Sequence, residues 1–133
     1  MIFYTPADRD RTLLPHDPVK AVVAPRPIGW ISTVDAAGIP NLAPYSYFNA
    51  VADRPPIVMF SSDGMKDSAT NALAIGEFVW NLATYDLREQ MNLSSKELAP
   101  GESEFAFAGL EAATSRRVHP RGSRRRRWRW SAE

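Results

Sequence analysis

The chain has 133 residues, 44% apolar and 23% charged, the size and balance of one domain with one core. It has no cysteine, and its two histidines, His16 and His119, stand far apart, which excludes disulfides, thiolate catalysis and zinc–cysteine sites and argues against a histidine metal site. The net charge of +1 hides a split: residues 1–115 carry 8 Lys+Arg against 14 Asp+Glu, summing to −6, and residues 116–133 carry 8 Arg against one Glu, summing to +7.

No apolar run approaches the ~18 residues that span a bilayer. The opening MIFYTPADRDRT lacks the basic start and apolar middle of a signal peptide, so a cytoplasmic location is expected. Residues 1–20, with Pro6, Pro15 and Pro18, read as an irregular surface arm, and the apolar run Ala21 to Ala24 stops at Pro25 and Pro27. Ile28 to Val34 alternates as a strand and ends at DAAG, where Asp35 and Gly38 suit a hairpin. Asn41 to Val51 reads as the return strand, with Pro44 marking a bulge or an edge. After the turn Asp53–Pro56, Ile57 to Ser62 reads as a third strand, and the three form an antiparallel meander.

The period then changes. KDSATNALAIGEF places Ala69, Leu73 and Ile75 on a helical pattern, with Asp67 or Ser68 as N-cap and Gly76 as the stop. Phe78 to Thr84 reads as a fourth strand and Asp86 to Leu93 as a helix capped by Asp86. Lys96 to Glu104 reads as a loop, followed by the short apolar segment Phe105 to Leu110. This order is mainly β with two or three short helices, which suggests a barrel with helices at its ends.

If the meander pairs in order, Ser32, Thr33, Ser46, Ser61 and Ser62 share a neighbourhood, and Lys66, Asp67 and Ser68 open a helix beside it. Free N–H groups at a helix start, with a lysine, suit a phosphate dianion. The same hydroxyls could equally cap turns and strand ends. Arg26 is either a phosphate contact or a solvated turn residue. Trp30 is expected in the core, and Tyr47 and Phe48 on opposite faces of their strand.

The run PRPIGWISTVDAAGIPNLAPYSYFNAVADRPPIVMFSS, followed by KDSATNALAIGEFVWNLAT, resembles the flavin reductase-like family of FMN-binding split barrels, over roughly Phe3 to Thr114. The resemblance implies a Greek-key-like split β-barrel occupying residues 1–115, incomplete at its C-terminus. It implies an FMN pocket built from Ser32 and Thr33, from Ser46, Tyr47, Phe48 and Asn49, and from Lys66, Asp67 and Ser68 at the phosphate end, to which the hydroxyl cluster adds Ser61. It implies an NAD(P)H-dependent flavin reductase that transfers hydride through flavin N5, with no catalytic acid or base and no metal. The implied partners are flavin, a nicotinamide nucleotide, a second copy of the chain, and an oxygenase or other electron acceptor. A non-catalytic flavin carrier or an inactive truncated flavoprotein is the alternative.

The tail SRRVHPRGSRRRRWRWSAE shows neither strand alternation nor a helical stripe. It is expected to be non-native or disordered, either a frameshift product that truncates the barrel or a basic arm. Interleaved Arg and Trp could serve nucleic acid or a membrane surface. A membrane partner is not expected, and nucleic acid ranks last because nothing in residues 1–115 supports it.

Overall fold

The computed structural model describes residues 4–99, 101–115, 118, 122–123 and 129–132. Its centre is strand β1 (Gly29–Val34), buried at every position. β1 pairs antiparallel with β2 (Pro40–Tyr45) on one side and β5 (Phe78–Asn81) on the other. The connecting turn follows the Asp35 and Gly38 expectation: Asp35 Oδ1 accepts from the N–H groups of Ala37 (2.9 Å) and Ile39 (2.7 Å). Gly38 takes φ 83°, the left-handed region that glycine enters without a Cβ clash.

The return strand differs from the continuous run expected over Asn41–Val51. It breaks at Ser46–Tyr47, and β3 (Phe48–Asp53) pairs instead with β4 (Pro56–Phe60) as a separate two-stranded ribbon. The simple meander is therefore replaced by a change of sheet. Pro44 lies on β2, which is the edge of its sheet, where a missing N–H costs no ladder bond.

Alternation along β1 sends its residues to two cores. Trp30 packs with Leu42, Leu87, Phe105, Ala108 and Leu110 on one face. Ile31 packs with Tyr45 and Phe48 on the other, against Val58, Phe60, Phe78 and Trp80. Trp30 is thus core, and its Nε1 donates to Ser94 Oγ (2.9 Å). The ribbon is tied to the main sheet by aromatic pairs: Phe48–Trp80 and Tyr45–Phe60 at 4.9 Å, Phe60–Phe78 at 5.2 Å.

Helix α1 (Pro18–Val22) replaces part of the expected irregular arm, with Asp17 Oδ1 capping its start. Helix α2 (Asp67–Ile75) has Lys66, not Asp67 or Ser68, at its N-cap position, and no side chain caps it. Its stop is Gly76, at φ 78°, as the pattern predicts. The apolar stripe through Leu73 is not its buried side: Leu73 is 75% exposed and Ser68 is the one fully enclosed residue of the helix. A 3₁₀ turn at Tyr85–Leu87 leads into α3 (Arg88–Leu93), so Asp86 lies inside that turn and does not cap the helix. Helix α4 (Glu104–Phe107) lies against β2.

The short strand β6 (Ala112–Ala113) pairs with β7 (Gly122–Ser123), and β8 (Arg129–Ala132) pairs antiparallel with β5, extending the main sheet to the order β2-β1-β5-β8. The basic run 124–128 and the other expectations for the tail fall outside the described residues.

Gly29 is set by packing. A Cβ built there would overlap Phe48 Cδ2 and lie 2.9 Å from Phe48 Cβ, so the ring of β3's first residue rests on the bare Cα of β1. Gly29→Ala is expected to destabilise the chain by about 1–3 kcal/mol, the usual cost of overpacking. Urea denaturation checks this, and an unchanged midpoint would show that the ribbon can shift away freely.

Candidate functional site

The hydroxyls of β1 are enclosed and engaged within the chain. Ser32 and Thr33 are fully buried. Ser32 Oγ accepts from Asn81 Nδ2 (2.9 Å) across the β1–β5 pair. Thr33 Oγ1 accepts from Asn41 Nδ2 and Asn71 Nδ2, both at 3.2 Å, and Asn41 Nδ2 also donates to Ser68 Oγ (2.7 Å). Thr33, Asn41, Ser68 and Asn71 therefore form one network that docks the polar face of α2 on the sheet. Each hydroxyl would otherwise be buried without a partner, at about 1–3 kcal/mol apiece.

A cleft of about 310 Å³ runs along the outer edge of β2. Lys66, Asp67 and Ser68 form one wall and Ser94 to Leu98 the other, with Glu104 between. Lys66 and Asp67 are exposed, and the first turn of α2 has no side-chain cap, so its N–H groups and the positive end of the dipole are open to an anion. Lys66 and Lys96 share the cleft with Asp67, Glu97 and Glu104. Anion binding here therefore depends on the helix end and the two ammonium groups outweighing the carboxylates.

The β2 edge is covered by side chains that imitate a strand. Glu104 Oε2 accepts from Leu42 N–H (3.1 Å), and Ser103 Oγ donates to the Pro40 carbonyl (2.8 Å). Glu104 is only 8% exposed, and burial holds its carboxyl above the ordinary glutamate value, with the charge of Asp67 adding to the shift.

The remaining expected residues lie where the chain leaves the main sheet for the ribbon. Phe48 is buried at 6% exposure and Tyr47 stands out at 47%, the opposite facing that alternation predicts. Ser46 is half-buried and Asn49 and Ser61 are exposed. The Ser61 N–H donates to the Tyr47 carbonyl (2.8 Å), which brings Ser61 beside the Ser46–Asn49 run. The structure thus makes two groups of the ten expected residues. Thr33 and Ser68 belong to the buried network, Ser32 to the buried pair with Asn81, and Phe48 to the aromatic core. Ser46, Tyr47, Asn49, Ser61, Lys66 and Asp67 present surface. Arg26 is neither a solvated turn residue nor near Lys66 in the cleft lining: its Nη1 donates to the carbonyls of Lys20 and Val23. Sequence reasoning missed the Asn41, Ser94 and Glu104 contributions. Asn41 and Glu104 are polar residues beside apolar ones, the available signal of a buried partner. No group of three or more His, Cys, Asp or Glu able to hold a metal occurs among the described residues.

An open, mainly β arrangement with short helices is that of the flavin reductase-like split barrel. The family model for the flavin reductase like domain matches residues 23–123, and the chain belongs to that family. It is 42% identical over 105 residues to an uncharacterized protein of Aquifex aeolicus (strain VF5), covering 75% of this chain and 54% of that one. It superposes on nitrilotriacetate monooxygenase component B from Bacillus cereus with a TM-score of 0.84 at 28% identity, covering 98% of this chain and 66% of that one. Pseudomonas fluorescens 2-nitrobenzoate 2-nitroreductase NbaA has the same fold, with a TM-score of 0.76 at 24% identity, covering 90% and 61%. The chain spans about half the length of the relatives it matches in sequence.

Removing the shared donor of the network should be costly. Asn41→Ala leaves the Thr33 and Ser68 hydroxyls short of a partner, and a loss of about 1–3 kcal/mol is expected by urea denaturation. Glu104 makes a pH prediction. A carboxyl whose folded pKa is raised stabilises the fold fully below its unfolded pKa of about 4.3, and that contribution is lost as pH rises through the folded value. Glu104→Gln keeps an acceptor for Leu42 N–H but cannot ionise. The variant should therefore lose less stability than the parent between about pH 4 and neutrality. Parallel curves in thermal melts across that range would contradict it.

Proposed function

We propose that the chain is the FMN-binding part of an oxidoreductase that takes electrons from NADH or NADPH. The supporting observation is the uncapped start of α2 with exposed Lys66, opening on a cleft whose β2 side is lined as far as Tyr45, the residue before Ser46. The donor set fits a flavin mononucleotide. Lys66 and the first N–H groups of α2 would hold its phosphate, with Asp67 set against it as a first-turn acid that favours the helix dipole. Ser46, Tyr47, Asn49 and Ser61 would flank its ribityl chain and ring. Thr33 and Ser68 support the pocket from behind by fixing α2, Ser32 braces the β1–β5 pair, and Phe48 fixes the backbone of the run.

Bound FMN supplies two-electron transfer through N5, and the protein's part is to bind, orient and shield it. The exposed apolar residues Val51, Ile57 and Met59 of the β3–β4 ribbon support cover by a second copy, giving a homodimer. A lone hairpin is marginal in water, which makes such cover stabilising. Likeness to a monooxygenase component B supports an oxygenase as the electron acceptor. The absence of cysteine fits a reducing, cytoplasmic setting.

The test is an FMN titration followed by flavin fluorescence, then NADH and NADPH oxidation with FMN present. Saturable binding is expected, about tenfold weaker in Lys66→Ala and less affected in Ser46→Ala, since a charge-assisted bond outweighs a neutral one. Equal affinity in Lys66→Ala would move the phosphate elsewhere. No binding by the parent chain would defeat the reading.

A further inference from the structure

Arg26 touches two parts of the molecule, the end of α1 and the Tyr47 ring. Its Nη1 donates to the carbonyls of Lys20 (2.8 Å) and Val23 (2.7 Å), at the C-terminal end of α1. That end carries the negative pole of the helix, where a guanidinium is favoured. Its Cζ lies 5.5 Å from the centre of the Tyr47 ring, within the range of a cation–π contact. Its Nε is buried and has no acceptor.

Helix α1 buries none of its own residues, so the arginine is not there to complete a core. The backbone at Tyr47 is already held, by the Ser61 N–H on its carbonyl and by buried Phe48 beside it. What those contacts leave free is the Tyr47 ring. Among the described residues no second cation or ring stacks on it.

We propose that Arg26 is a positioning residue of the flavin pocket: anchored on the carbonyls at the end of α1, it fixes the Tyr47 ring at the pocket's rim. This rests on the assignment of FMN to the Ser46–Asn49 run. Arginine suits the task because its planar fork can spend one nitrogen on two carbonyls and still present a flat cation to the ring. A lysine ammonium offers a point charge without that geometry.

The test separates the ring contact from flavin binding. The chain labelled with 3-fluorotyrosine gives resonances from its four tyrosines, and Tyr47→Phe assigns the one at position 47. In Arg26→Gln the Tyr47 fluorine resonance of the flavin-free chain should move. FMN affinity should fall roughly three- to thirtyfold, with a changed visible circular dichroism of bound FMN. Arg26→Lys should resemble Arg26→Gln rather than the parent. Fluorine spectra of the other three tyrosines report whether each variant is folded. An unmoved Tyr47 resonance in folded Arg26→Gln overturns the proposal whatever FMN does. A moved resonance with unchanged FMN affinity also overturns it and leaves the flavin reading intact. A parent chain that binds no FMN overturns the flavin reading and this role with it, even if the resonance moves.

Discussion

Everything at the cleft depends on how α2 is seated, and it is seated by hydrogen bonds rather than by an apolar stripe. Ser68 and Asn71 face the sheet, and Asn41 gives its amide protons to Ser68 and Thr33. A helix held by side-chain amides has one register. Sliding it by a residue would break every bond in the set and leave polar groups buried. The orientation of the α2 start, with its open N–H groups and Lys66, follows from that register. The polar docking also explains why Leu73 can be exposed without loss of the helix.

The outer edge of β2 shows a related solution. An unpaired edge invites another strand, and Ser103 and Glu104 meet it with a hydroxyl and a carboxylate. The cover brings a carboxyl into low-dielectric surroundings, so the edge is closed at the expense of an electrostatic penalty when Glu104 is charged. The same residue lines the cleft. Closing the edge and shaping the site are therefore one structural task, performed by the segment that follows α3.

The second physical theme is the join between the main sheet and the ribbon. β3 leaves the sheet at Ser46–Tyr47, and a pack of five aromatic rings, Tyr45, Phe48, Phe60, Phe78 and Trp80, holds it there. Gly29 lets Phe48 approach the central strand. This places the Ser46–Asn49 run at a bend, where its backbone and alternate side chains are available to a ligand. Beyond the bend the ribbon is largely exposed, with apolar residues that a lone chain would leave in water. The chain spans about half the length of its sequence relatives.

Local chemistry was legible in the sequence wherever a single residue type decides the backbone. Asp35 and Gly38 make a hairpin, Gly76 stops a helix, and alternation separates Tyr47 from Phe48 and puts Trp30 in the core. The ordered PRPIGW, APYSYFN and KDS motifs pointed to the family because their spacing follows the strands and the helix start that carry them. What the sequence could not show is which partner each polar group chooses. Ser32 and Thr33 look alike as ligand groups or as buried hydroxyls until Asn81, Asn41 and Asn71 arrive from positions 8 to 49 residues away. The split of the Asn41–Val51 run, the pairing of β8 with β5 and the seat of Arg26 over Tyr47 are likewise decided by contacts between distant segments. Turns and periodicity are properties of neighbouring residues, so the sequence by itself determines them. Satisfying buried polar groups and covering sheet edges are properties of the closed chain, so only the tertiary structure decides them.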